Sequence, residues 1–222
     1  MSSSSNSTTT KDSSNQYKDF FEKHSIKVEE PKFNLNPVAP CDDKLLEQTL
    51  TDLNVYFEEG ETFNEQYAEW VKSFGPGTLG RALILAPTSN MGGGADIRLH
   101  ALLMHNRFSD EHFKVNHNWD MKSLLAFAKD SVEGMWFGWC TKGDRKSFDK
   151  VYCFDDKADS DPPRKVADTF DEFLLEVALG TVMVDMDLKR PKNVTDGEAE
   201  DSDDDPEYQV PKVFRKCAGS RF

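Results

Sequence analysis

Residues 151–180, VYCFDDKADSDPPRKVADTFDEFLLEVALG, compress a strand, a forced break and a capped helix into one short stretch. Val151, Tyr152, Cys153 and Phe154 form a β-type apolar run. Asp155 to Pro163 cannot extend it, because Pro162 and Pro163 have no N–H to give a neighbouring strand. Thr169 then opens a helix. Its hydroxyl can accept from an early free N–H, and Glu172 can reach back to the Thr169 N–H. Phe170, Phe173, Leu174, Val177 and Ala178 share one helical face, and Gly180 supplies a left-handed stop. An aromatic face of this kind needs a sheet to cover it, and the tryptophan-rich centre of the chain is the expected surface.

Upstream, Tyr17–His24 reads as a short helix, followed by a connector punctuated by Pro31, Pro37 and Pro40. From Asp43 to Glu59, Leu45, Leu46, Leu50, Leu53 and Phe57 recur at helical spacing, and Gly60 ends the run. A second helix starting at Asn64 buries Tyr67, Trp70, Val71 and Phe74. Gly75, Gly77 and Gly80 break it, and Arg81–Ala86 reads as a strand buried on both faces. Ile97–Phe108 fits a helix, with Leu99, Leu102, Leu103 and Arg107 at mixed spacing. Ser123–Ala128, Met135–Cys140 and Lys150–Phe154 form a three-strand meander, and Val182–Leu188 alternates as a last strand would. Trp136 and Trp139, three apart on one strand, point to opposite faces, one into the core and one towards a helix or a partner.

Charge is distributed unevenly. The net value is −13, but Asp196–Glu207 carries eight acids and no base, while Tyr208–Phe222 carries four bases and no acid. Residues 17–195 remain acidic at −9, which argues against nucleic acid as a direct ligand. A basic protein partner suits such a body, and solubility alone accounts for it as well. Residues 1–16 are polar and low in complexity, without the apolar stretch of a secretory signal, and no run approaches a membrane span. Cys41, Cys140, Cys153 and Cys217 form no CxxC pair, so a reducing compartment, cytoplasmic by default, is expected.

The order helix, helix, glycine turn, apolar strand, meander, capped helix resembles the SUKH superfamily. That group includes bacterial toxin-immunity proteins and a yeast regulator of cell-wall synthesis. The matching positions run from Phe63, Tyr67, Trp70, Phe74, Gly75, Gly77 and Pro87 through Leu124, Leu125, Phe127, Ala128, Gly134, Trp136 and Trp139. They close on Val166, Ala167, Asp168, Thr169, Phe170, Phe173 and Leu174. Asn64 and Ala126 stand where the family favours proline, and His100–Asn118 reads as an insertion. The resemblance implies an α+β fold, with helices packed on a mainly antiparallel, mixed β-sheet over residues 42–188. Residues 1–41 are expected to be a disordered N-terminal region, and 189–222 a disordered acidic tail with a short basic end.

The chemical motifs are sparse. His100, His105, His112 and His117 are spaced by five and seven, which puts no pair on one helix turn for a metal. Pro87–Asp96 is glycine-rich but lacks the spacing of a phosphate loop. No nucleophile signature is present, so no catalytic residue, metal or cofactor is expected. Trp119, in the polar stretch HNWD, reads as a binding anchor. Asp155, Asp156 and Asp159 form either a solvated loop or a contact surface for a cationic partner. Ser202, followed by three aspartates, is a candidate for phosphorylation, with an unmodified solubilising tail as the alternative. The resemblance implies a non-enzymatic protein-binding module. Its partner would be a basic toxin domain to be neutralised or, for a eukaryotic scaffold, a signalling protein, with no direct nucleic acid and no membrane.

Overall fold

The computed structural model describes residues 16–31, 36–89, 94–108, 121–131, 134–155, 163–180 and 210–218. Helix α1 (Gln16–His24) leads into strand β1 (Lys27–Glu29), then α2 (Asp43–Asp52) and α3 (Glu65–Phe74). Strands β2 (Gly77–Leu79) and β3 (Ala82–Ile84) form a hairpin, and α4 (Ile97–Arg107) precedes β4 (Leu124–Asp130). Strands β5 (Trp136–Cys140), β6 (Ser147–Phe154) and β7 (Arg164–Ala167) follow, then α5 (Phe170–Glu172) and β8 (Val213–Lys216). The architecture is α+β: one eight-stranded, mainly antiparallel sheet in the order β1-β8-β2-β3-β4-β5-β6-β7, with helices packed on it.

Helix starts follow the capping chemistry. Asp42 Oδ1 accepts from Leu45 N–H at 2.7 Å, and Asn64 Oδ1 from Tyr67 N–H at 3.1 Å. The first of these helices is shorter than its leucine pattern suggests. It ends at Asp52, and Leu53 and Tyr56 go into the core from a turn, not from a helix continuing to Glu59. Asn54 and β-branched Val55 fall where the helix stops, and both resist helical dihedrals.

The meander β4-β5-β6 has the expected antiparallel register, and β7 adds a further strand on the far side of β6. Register places Trp139 opposite Leu125 and Val151, and Trp136 opposite Lys129 and Phe154, so the two indoles occupy opposite faces. Trp139 stacks on Phe127 at 4.1 Å between centroids and meets Tyr67 edge-on at 5.0 Å. Trp136 lies 5.2 Å from the His100 ring of α4, under the Lys129 ammonium at 4.8 Å.

The C-terminal helix turns out wider than its sequence pattern suggests. Thr169 Oγ1 accepts from Glu172 N–H at 3.1 Å, as a cap should, but the Glu172 carboxylate takes the N–H of Asp168, not that of Thr169. After one α-helical turn the chain widens into a π-helix over Phe173–Ala178, closed by Leu179 N–H on the Leu174 carbonyl. The wider turn still buries all five expected side chains, and it delivers the Ala178 carbonyl to Arg81 N–H at 3.1 Å.

Two segments assigned to the tails belong to the fold. Tyr17, Phe21 and Ile26 are buried in the core, and β8 lies between β1 and β2 with Phe214 fully buried. Phe214 completes an aromatic box of Phe21, Trp70 and Phe74, which neither segment could form alone. The expected strand at Val182–Leu188 lies outside the described residues.

Candidate protein-docking surface

Helix α4 is held by a buried ionic lock at its first turn. Asp96 caps it, accepting from Arg98 N–H at 2.8 Å, and its carboxylate also takes Arg98 Nε at 3.1 Å and Nη2 at 2.8 Å. Thr88 donates to the same carboxylate from its N–H at 3.1 Å and its hydroxyl at 2.7 Å. Arg98 Nη1 reaches Asp52 at the end of α2, at 3.1 Å. Thr88, Asp96 and Arg98 are all buried. Burial opposes ionisation of Asp96, but hydrogen bonds from Arg98 and Thr88 outweigh it and hold the carboxyl below its usual range. The Tyr56 hydroxyl adds a buried bond to the Ala101 carbonyl at 3.0 Å.

These contacts set the rotation of α4. Ile97, Ala101, Met104 and Phe108 face the core, whereas Leu102 and Leu103 stand 53% and 55% exposed, with Leu99 half-buried. Leu99, Leu102 and Leu103 form the helix's other apolar stripe. The lock at Asp96 and Arg98 turns that stripe outwards. The pattern at positions 97, 101, 104 and 108 was the legible signal for the true core face. Leu102 and Leu103 are thus two adjacent apolar side chains turned to the surface of a helix fixed at its first turn.

A concavity of about 880 Å³ opens between α1, β1 and the end of α3. Phe21, Ile26 and Phe74 give its wall an apolar part, and Lys18, Glu22 and Lys72 add charges of both signs.

Of the residues singled out by sequence, Asp155 closes β6 and is half-buried. Trp119, Asp156, Asp159 and Ser202 lie outside the described residues. Among the described residues, no group of three or more His, Cys, Asp or Glu side chains is arranged to hold a metal ion. Burial pushes the thiols of Cys41 and Cys153 up to about 12, so neither supplies a thiolate near neutral pH. No helix among the described residues is long and apolar enough to cross a membrane.

Residues 40–176 match the model of the SMI1 / KNR4 family (SUKH-1). The chain belongs to this family. Comparisons with curated proteins and with solved structures return no match. The SUKH-1 region runs from just before α2 into the π-helix, so the α4 lock and the leucine face lie within it. Helix α1 and strands β1 and β8 lie beyond it, although they complete its core and its sheet.

Proposed function

We propose that this SUKH-1 protein is a non-catalytic binding module that docks a specific protein through the outer face of α4. The observation that carries this reading is the exposed pair Leu102 and Leu103 on a helix whose orientation a buried ion pair enforces. Family membership supports the same level of function, that of immunity proteins and regulators. A net charge of −9 over residues 17–195 favours a basic partner, because complementary charge speeds encounter and excludes wrong partners. The favoured partner is a toxin domain that the module neutralises in the cytoplasm.

The alternative is a eukaryotic regulatory scaffold. The serine-rich residues 1–16 and the acidic surroundings of Ser202 favour it, since both suit signalling partners.

The test is affinity capture from the native host with the wild-type chain and with Leu102→Glu/Leu103→Glu, followed by mass spectrometry. A partner retained by the first and lost by the second supports docking through α4. Identical capture profiles sink it. Assay of the captured partner then separates the two roles: stoichiometric loss of its activity marks neutralisation, and retained activity marks scaffolding.

A further inference from the structure

Strand β8 sits in the sheet as a ligand sits in a slot. It pairs in parallel with β1, Val28 facing Phe214, and antiparallel with β2, Leu79 facing Phe214. No other described strand reaches β1, so β8 alone ties that edge to the sheet. Backbone bonds continue along its whole length: Lys27 N–H to the Lys212 carbonyl at 3.1 Å, Gly80 N–H to that of Val213 at 3.2 Å, and Cys217 N–H to that of Pro76 at 3.2 Å. On the far side, Val38 N–H donates to the Cys217 carbonyl at 2.9 Å.

The slot is shaped by glycines. A Cβ on Gly77 would collide with the Phe214 ring and with the Arg215 carbonyl oxygen. A Cβ on Gly180 would collide with Val210, and one on Gly80 with the Ala178 carbonyl oxygen first and Val210 second; both glycines also need positive φ, 55° at Gly80 and 100° at Gly180. The receptor surface therefore reads two anchors, a branched aliphatic at position 210 and an aromatic at 214. The aromatic drops into a pocket of Phe21, Trp70 and Phe74. Alternate side-chain pockets along a strand held by main-chain bonds are how extended peptides are recognised at a sheet edge.

Residues 181–209 join the end of the π-helix to this strand, yet the Gly180 and Val210 ends touch. The two ends of this connection therefore both lie at the slot. Strand β8 also lies outside residues 40–176, the part that matches the family.

The geometry points to a peptide-binding slot between β1 and β2, whose occupant is the chain's own segment 210–218, held by non-covalent contacts and exchangeable for the same segment supplied in trans. In the intact chain the covalently joined segment wins, because its binding is intramolecular.

The experiment uses the full chain with a site-specific protease sequence replacing residues 196–202. After cutting, the C-terminal fragment is expected to co-elute with the body in gel filtration. A fluorescein-labelled peptide of residues 207–219 should then exchange in and saturate, with the same peptide bearing Phe214→Ala at least tenfold weaker. Before cutting, the labelled peptide should not bind. Three results overturn the assignment: loss of the fragment on cutting without rebinding, equal binding of the two peptides, or elution of the uncut chain as a dimer that Phe214→Ala dissolves. The last would give the slot to the segment of a second copy.

Discussion

The Arg81 guanidinium forks onto Asp130 across β3 and β4, with Nε to Oδ1 at 3.3 Å and Nη2 to Oδ2 at 3.0 Å. Both side chains are withdrawn from water. The Arg81 carbonyl takes Ser131 N–H at 2.9 Å and the Ser131 hydroxyl at 2.8 Å, so one residue ties the β2–β3 turn to the end of β4. Removing one partner strands a buried charge. Asp130→Ala is expected to lower stability by about 3–5 kcal/mol in urea unfolding. Arg81→Met/Asp130→Leu should recover much of that loss. A single substitution without effect would show that the pair is not sequestered.

Phe173 meets Phe127 at 5.1 Å and Phe137 at 5.2 Å between centroids, fully buried where the π-helix crosses the meander. Phe173→Ala should cost about 3–5 kcal/mol, the usual range for truncating a core aromatic. A change under about 1 kcal/mol would place the ring at the surface, since substitutions there stay small.

Gly77 is required by its neighbour, not by its backbone, because its φ is not positive. Gly77→Ala is expected to destabilise by about 1–3 kcal/mol through overpacking against Phe214. In a Phe214→Ala background the same change should cost clearly less. Additive losses in this double-mutant cycle would mean that the clash lies elsewhere.

Asp96 contributes to stability in acid. Its folded pKa is lowered below the ordinary 3.8, so its contribution is fully present above that value and is lost as pH falls through the lower, folded one. Acid unfolding of wild type should therefore steepen below about pH 4, near the ordinary aspartate pKa. Asp96→Asn should flatten that limb while lowering stability at pH 7. Parallel limbs for both proteins would remove Asp96 from the account.

Leu102→Glu/Leu103→Glu should leave stability within about 0.5 kcal/mol of wild type, as exposed positions do. A large fall in the thermal midpoint would show that the leucines are covered in solution.

Much of the local chemistry was legible. The caps at Asn64 and Thr169, the burial of Tyr67, Trp70 and Val71, the antiparallel meander and the opposed Trp136 and Trp139 all follow from spacing and side-chain type. These are nearest-neighbour effects within a turn or along a strand, and the residues concerned carry them wherever they fold. The family resemblance was legible for the same reason, as a run of such local patterns in a given order.

What the sequence by itself determined was therefore where most of the helices and the meander strands lie, and which of their faces are apolar. Only the tertiary structure decided where those faces go. Val213–Lys216 is too short and too basic to announce a central strand, and becomes one because β1 and β2 leave unpaired edges and Phe21, Trp70 and Phe74 leave room for Phe214. Helix α4 carries two apolar stripes. The buried one lies beside an ionic cluster of Asp96, Arg98 and Asp52, and Asp52 is 46 positions away from Arg98 in sequence. Contacts of that range have no local signature, because their free energy exists only once the chain has closed the loop between them.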